Sequence, residues 1–186
     1  INVRNQGFVK LVEEGESVLP EVKQLLNDKN PFIRARAVWL MAQLGEEGME
    51  EVENILTAHP SPSLRVAAYR ALKKDESKVM SYAKVALDDP SVAVLREVAI
   101  SMRDVPWDKS QEILVALSSR YDGIDAYYLE ALGIGALGKE ADLYKALLES
   151  QNPAAANWSP AFANIAWRLH PDVLSLIHIS EPTRPY

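Results

Sequence analysis

Three glycines in Gly133-Ile-Gly135-Ala-Leu-Gly138 satisfy the pattern G-x-G-x-x-G. In a dinucleotide-binding fold that pattern follows a buried strand and opens a helix whose N-terminus holds a pyrophosphate. Here the preceding residues, Asp125-Ala-Tyr-Tyr-Leu-Glu-Ala-Leu132, are charged and helical in pattern, and no strand–helix–strand alternation surrounds them. The motif is therefore expected to be a helix whose glycines let a neighbour approach and which stops at Gly138. Arg34, Arg65 and Arg96 form a second candidate, a ladder at equal spacing with Arg36, Arg70, Lys73 and Lys74 nearby. Such a stripe could grip phosphates, or it could pair with the carboxylates of Asp28, Asp88 and Asp89, which precede the same helices. Twenty Lys+Arg stand against twenty-six Asp+Glu, a net charge of −6. Polyanion affinity rests on cations that neutralise phosphate, so the structural ladder is preferred and no nucleic-acid partner is expected.

The remaining reactive side chains are sparse. His59 and His170 each precede a proline and lie 111 residues apart, without the spacing of a metal site. Absence of Cys excludes disulfides, thiolate zinc sites, c-type haem attachment and cysteine nucleophiles within the chain. Glu13/Glu14, Glu46/Glu47 and Glu50/Glu51 fall on helix ends or exposed faces and read as solvated charge. Trp39, Trp107, Trp158 and Trp167 could form a ligand platform, but tryptophans of a repeat fold more often bury area between units, their indole N–H needing a partner. The serines lie in turns far from either histidine. No catalytic residue, cofactor-binding residue or metal ligand is assigned, and no cofactor is expected in this segment.

The elements that must position these residues repeat. Pro31-Phe-Ile33-Arg34-Ala-Arg-Ala37 superimposes on Pro62-Ser-Leu64-Arg65-Val-Ala-Ala68 at an offset of 31, and the same offset carries Leu64, Arg65 and Ala68 onto Leu95, Arg96 and Ala99. Ile33, Ala37, Leu40 and Leu44 lie on one helical face, as do Leu64, Ala68 and Leu72. Second helices are read between them from Val52, Ile55 and Leu56, from Val79, Ala83 and Ala86, and from Leu114, Leu117 and Tyr121. Asn30-Pro31, Ser61-Pro62, Asp89-Pro90 and Ser159-Pro160 each set a capping side chain before a proline suited to the first helical turn. No period-2 run suggests a strand, and no apolar run approaches the length needed to cross a bilayer.

Apolar-Arg-x-x-Ala helix starts behind Asp/Asn-Pro resemble HEAT-like repeats. A helix pair of this length cannot bury its own faces, so stacking must supply the core. The expected fold is an all-α right-handed solenoid of about five HEAT-like hairpins over residues 1–173. The last two depart from the strict period, with Tyr127 where a fourth arginine would fall. Leu174–Tyr186 resembles a translated sequencing adapter and is expected to be non-native, and the rest an internal fragment of a longer protein.

Four segments carry a narrower resemblance: Ala35–Gly45, Arg96–Pro106, Tyr121–Glu140 and Trp167–Pro171. They are similar to the middle region of large bacterial proteins described as membrane-bound dehydrogenase-like or haem-binding CxxCH proteins. The resemblance implies an exported parent in which a β-propeller like that of sugar dehydrogenases is followed by a HEAT-like segment and a c-type cytochrome domain. It implies that this segment is a spacer, or presents a concave surface to a protein partner or to other domains of the same polypeptide. Ala126 stands where the family carries Arg, and no catalytic residue transfers. The other reading is a HEAT-like nucleic-acid-binding or DNA-repair module; a dinucleotide-binding enzyme would need a strand before Gly133.

Overall fold

The computed structural model describes residues 2–149 and 157–169, with side chains from Asn5 onward. The adapter-like tail, His170 and His178 lie outside them. The described elements are all helical: α1 (Asn2–Glu14), a 3-10 turn (Gly15–Val18), α2 (Leu19–Gln24), a second 3-10 turn (Leu25–Asn27), α3 (Pro31–Met41), α4 (Glu46–Ala58), α5 (Pro62–Leu72), α6 (Val79–Ala86), α7 (Val92–Ser101), α8 (Trp107–Ser119), α9 (Ala126–Gly135), α10 (Glu140–Leu148) and α11 (Pro160–Leu169). The chain divides into two compact units, Ile1–Glu97 and Val98–Tyr186, the boundary falling within α7. Within each unit the elements pack as helical hairpins, an all-α arrangement of the α-solenoid-like kind, each helix burying the face that its 3.6-residue apolar period marks.

In the first unit α3 and α5 pack side by side as one layer, while α2, α4 and α6 form the other. Ala37 and Ala68 are almost fully buried, as expected of small residues where helices approach closely. Around them Val38, Met41, Leu44, Val52, Leu64, Tyr69 and Leu72 are sealed from solvent. Burying each large side chain contributes about 1.5–3 kcal/mol, set against the entropy of ordering short helices that would not persist alone. In the second unit α9 and α11 pair, with α8 and α10 against them. Its core holds Ile113, Leu114, Leu117, Leu132 and Leu143, closed at one end by Trp158 set edge-on to Phe162 and Tyr144.

The helix starts correct the repeat register. Asn30 caps α3 through its side chain, accepting from the Phe32 N–H at 2.9 Å, and Ser159 Oγ accepts from Phe162 N–H at 3.1 Å. Ser61 precedes α5 but spends its hydroxyl on Ser63 Oγ. Asp89-Pro90 does not open α7. The first helical bonds there, from the Val94 and Leu95 N–H groups, end on the Ser91 carbonyl, so Ser91 holds the place of Asn30 and Ser61. Asp125 caps α9 by accepting from Tyr128 N–H. The residues that open the five helices are Asn30, Ser61, Ser91, Asp125 and Ser159, spaced 31, 30, 34 and 34 apart.

Candidate functional site

The turns ahead of α3, α5 and α7 share one construction. Asp28 Oδ1 accepts from the Asn30 N–H at 2.7 Å, His59 Nδ1 from Ser61 N–H at 3.0 Å, and Asp89 Oδ1 from Ser91 N–H at 2.7 Å. Each acceptor stands two residues ahead of the helix-opening residue and satisfies a backbone donor that the turn would otherwise strand. His59 is thus a turn residue, its imidazole oriented by a main-chain donor.

Arg34 and Arg65 occupy the same place, four residues into their helices. Each turns back to its own turn: Arg34 Nη1 donates to the Asp28 carbonyl at 2.7 Å, and Arg65 Nη1 to the His59 carbonyl at 2.8 Å. Arg65 also reaches forward, its Nε and Nη2 gripping both oxygens of Asp89 at 2.7 and 2.9 Å. Arg65 is 7% exposed, and the bidentate bond to Asp89 outweighs burial to hold its pKa above the ordinary value. Among the described residues Arg34 meets no such carboxylate, since His59 fills the place of Asp89 in the next turn. With α7 opening at Ser91, Leu95 takes the position of Arg34 and Arg65, and Arg96 stands one residue further round its helix. By the same register, the fourth copy has Leu129 at the arginine position, and Tyr127, 76% exposed, lies outside it.

A second polar cluster lies at the C-terminal half of α5. Arg70 Nη2 bonds Glu97 Oε1 at 2.5 Å and Lys73 Nζ is 3.8 Å from the other oxygen. Burial opposes ionisation of Glu97, but the hydrogen bond from Arg70 and the charges of Arg70, Lys73 and Arg96 hold its pKa below the ordinary value. Lys74 Nζ sits 4.9 Å from the ring centre of half-buried Trp39 on α3. The acids of α4 are partly committed as well: Glu51 pairs with Lys23 and Glu53 accepts from Tyr82 Oη at 2.7 Å. Burial and that bond push Tyr82 up to about 12.

The glycine motif lies on α9 and the turn after it, with helix, not strand, before it. A Cβ on Gly133 would strike the Arg168 guanidinium, whose Nη2 pairs with Glu130 at 3.0 Å. One on Gly135 would strike the Ala99 carbonyl oxygen, and Gly138 has φ +74°, the left-handed region that ends a helix. Each glycine is thus accounted for by packing or by a turn. Next to them is a residue that the sequence reading missed. Lys139, 8% exposed, donates from Nζ to the carbonyls of Met102, Arg103 and Val105 at 2.6, 3.2 and 2.7 Å, tying the groups beyond the end of α7. Burial lowers its pKa. Only its place directly after a helix-stopping glycine hinted at this.

Among the described residues no group of His, Cys, Asp and Glu is placed to hold a metal ion. Trp158 is in the aromatic end of the second core, while Trp167 is 59% exposed. An open depression of about 560 Å³ between α1 and α3 is lined by Phe8, Leu11, Ile33 and Leu40 with Arg36 beside them, an apolar surface without an acid–base pair. Among the described residues no helix is long and apolar enough to cross a membrane.

No curated protein and no solved structure matches the chain. A family model, the HEAT repeat, matches residues 18–47, from the first 3-10 turn through α2 and α3 to the start of α4. The stretch that holds Asp28, Asn30 and Arg34 is therefore a HEAT-like repeat segment, in a chain whose described elements are helical hairpins throughout.

Proposed function

We propose that this chain is a non-catalytic helical-repeat scaffold that holds other domains of its polypeptide, or a protein partner, in place. The observation that carries this reading is the internal use of its candidate chemistry. Arg65 is spent on Asp89 and two carbonyls, His59 on a turn N–H, Lys139 on three carbonyls, and the glycines on close packing. HEAT repeats typically serve as such scaffolds, and no cofactor is required by the roles given to these residues. The finer reading places the segment between a sugar-dehydrogenase-like β-propeller and a c-type cytochrome domain in an exported bacterial oxidoreductase. The four family-like blocks support it, Tyr121–Glu140 above all, where Gly123 and Asp125 build the turn into α9.

The test has two arms. Purified chain given sugars with a dye acceptor, or NAD with candidate alcohols, is expected to show no turnover; oxidation above a protein-free blank overturns the scaffold reading. Reading the flanking genomic sequence is expected to reveal a Cys-x-x-Cys-His downstream, and an unrelated flank overturns the oxidoreductase context alone.

A further inference from the structure

Charge in the first unit separates α3 and α5 from α4. α3 carries Arg34 and Arg36 and no acid, and α5 carries Arg65 and Arg70 and no acid. In the other layer α4 carries Glu46, Glu47, Glu50, Glu51 and Glu53 and no base. Toward the C-terminal ends of α3 and α5 the sorting leaves a dense cationic patch. Arg70, its side chain 52% exposed, and Lys73 share the carboxylate of Glu97. Arg96 adds its charge to the same group, and exposed Lys74 lies over Trp39. Arg70, Lys73 and Lys74 thus have one carboxylate and two rings between them, Tyr69 by Lys73 and Trp39 by Lys74, so their surface keeps a positive excess although the whole chain is acidic.

We propose that Trp39, Arg70, Lys73 and Lys74 form a docking surface for an acidic segment of a partner protein, the indole taking an apolar side chain and the cations its carboxylates. Charge complementarity selects the sign of the partner, because fields are screened within about 8–10 Å at physiological salt and a short segment feels the patch rather than the net charge. The place in the fold selects its class. The patch lies at helix C-termini, where the unsatisfied backbone groups are carbonyls, whereas phosphate is favoured where free N–H groups point outward. A duplex longer than the patch would also meet the surplus acids of the chain. The surface is independent of the domain order of any parent protein.

The test is fluorescence anisotropy of a labelled oligoglutamate peptide titrated with the full chain at low salt. Oligolysine of equal length and short duplex DNA serve as competing probes. Oligoglutamate is expected to bind, more weakly as salt rises, and Lys74→Glu to weaken it about tenfold or more. Lys29→Glu, the same charge change at the other end of α3, is expected to leave binding within about twofold. Absence of binding at low salt, equal loss in both variants, or tighter binding of the duplex overturns the proposal. Sedimentation showing a dimer that Lys74→Glu dissociates also overturns it, by giving the surface to a second copy of the chain.

Discussion

Arg65 and Asp89 are the pair on which the first unit leans most at the scale of single residues. Both are buried, and the pair joins the turn before α5 to the turn before α7. Removing one partner leaves the other charge desolvated and alone, which costs about 3–5 kcal/mol, whereas replacing both by neutral groups costs far less. Arg65→Met is therefore expected to lower the urea midpoint strongly, and Arg65→Met with Asp89→Asn to recover much of the loss, since Asn can still accept from Ser91 N–H. A double-mutant cycle by urea denaturation measures it, and additive losses would show that the two side chains act separately. Leu95, an apolar residue in the equivalent place of the next copy, already shows that the position does not require charge. Glu97 supplies the pH dependence. Its folded pKa lies below the ordinary 4.5, so its contribution is complete above the unfolded value and is lost as pH falls through the lower folded one. Glu97→Gln is expected to flatten the fall in stability below pH 4.5. Urea midpoints across that range check it; an unchanged slope would mean that Glu97 is not the group titrating there.

At the scale of elements, α9 separates two glycines that the sequence presents as one motif. Gly133→Ala meets only the far end of the Arg168 side chain, which can swing away at the expense of a surface pair worth about 0–1 kcal/mol. Alanine gains about 1 kcal/mol of helix propensity in return, so near-neutral stability is expected. Gly135→Ala meets the backbone oxygen of Ala99, which cannot move without its helix, and a loss of about 1–3 kcal/mol is expected. Thermal melts of the two variants decide it, and equal effects would refute the packing account. Lys139→Met, which strips the tie to three carbonyls, is expected to cost about 1–3 kcal/mol in the same assay. The helices themselves were legible in the sequence, because apolar spacing, Pro at the first turn and positive-φ glycines are local signals. The register of α7 was not. Asp89-Pro90 imitates Asn30-Pro31, and only the grip of Arg65 on Asp89, a contact 24 residues long, shows why the helix waits for Ser91. Arg96 was aligned by residue type with Arg34 and Arg65, while the bonds at the helix start align Leu95. Lys139 escaped for a similar reason, since its three acceptors lie 34 to 37 residues earlier in the chain.

For the whole molecule, the long bonds share one property: each joins a hairpin to its neighbour in sequence. Lys23–Glu51, Glu53–Tyr82 and Arg65–Asp89 do so in the first unit, and Glu130–Arg168 and Gly123–Asn164 in the second. Stability in such a stack is a sum of hairpin terms and nearest-neighbour terms, so damage is expected to stay near its source. Arg65→Met therefore should raise opening mainly in its own unit. A loss of about 3 kcal/mol corresponds to about a hundredfold in the opening constant, within the reach of amide hydrogen exchange. Peptides spanning α3 to α6 are expected to exchange faster by an amount of that order, and those spanning α9 and α10 by less than about twofold. Exchange read by mass spectrometry on the full chain measures both at once. Uniform acceleration would mean that the two units open as one cooperative body, and the nearest-neighbour account of this fold would fail.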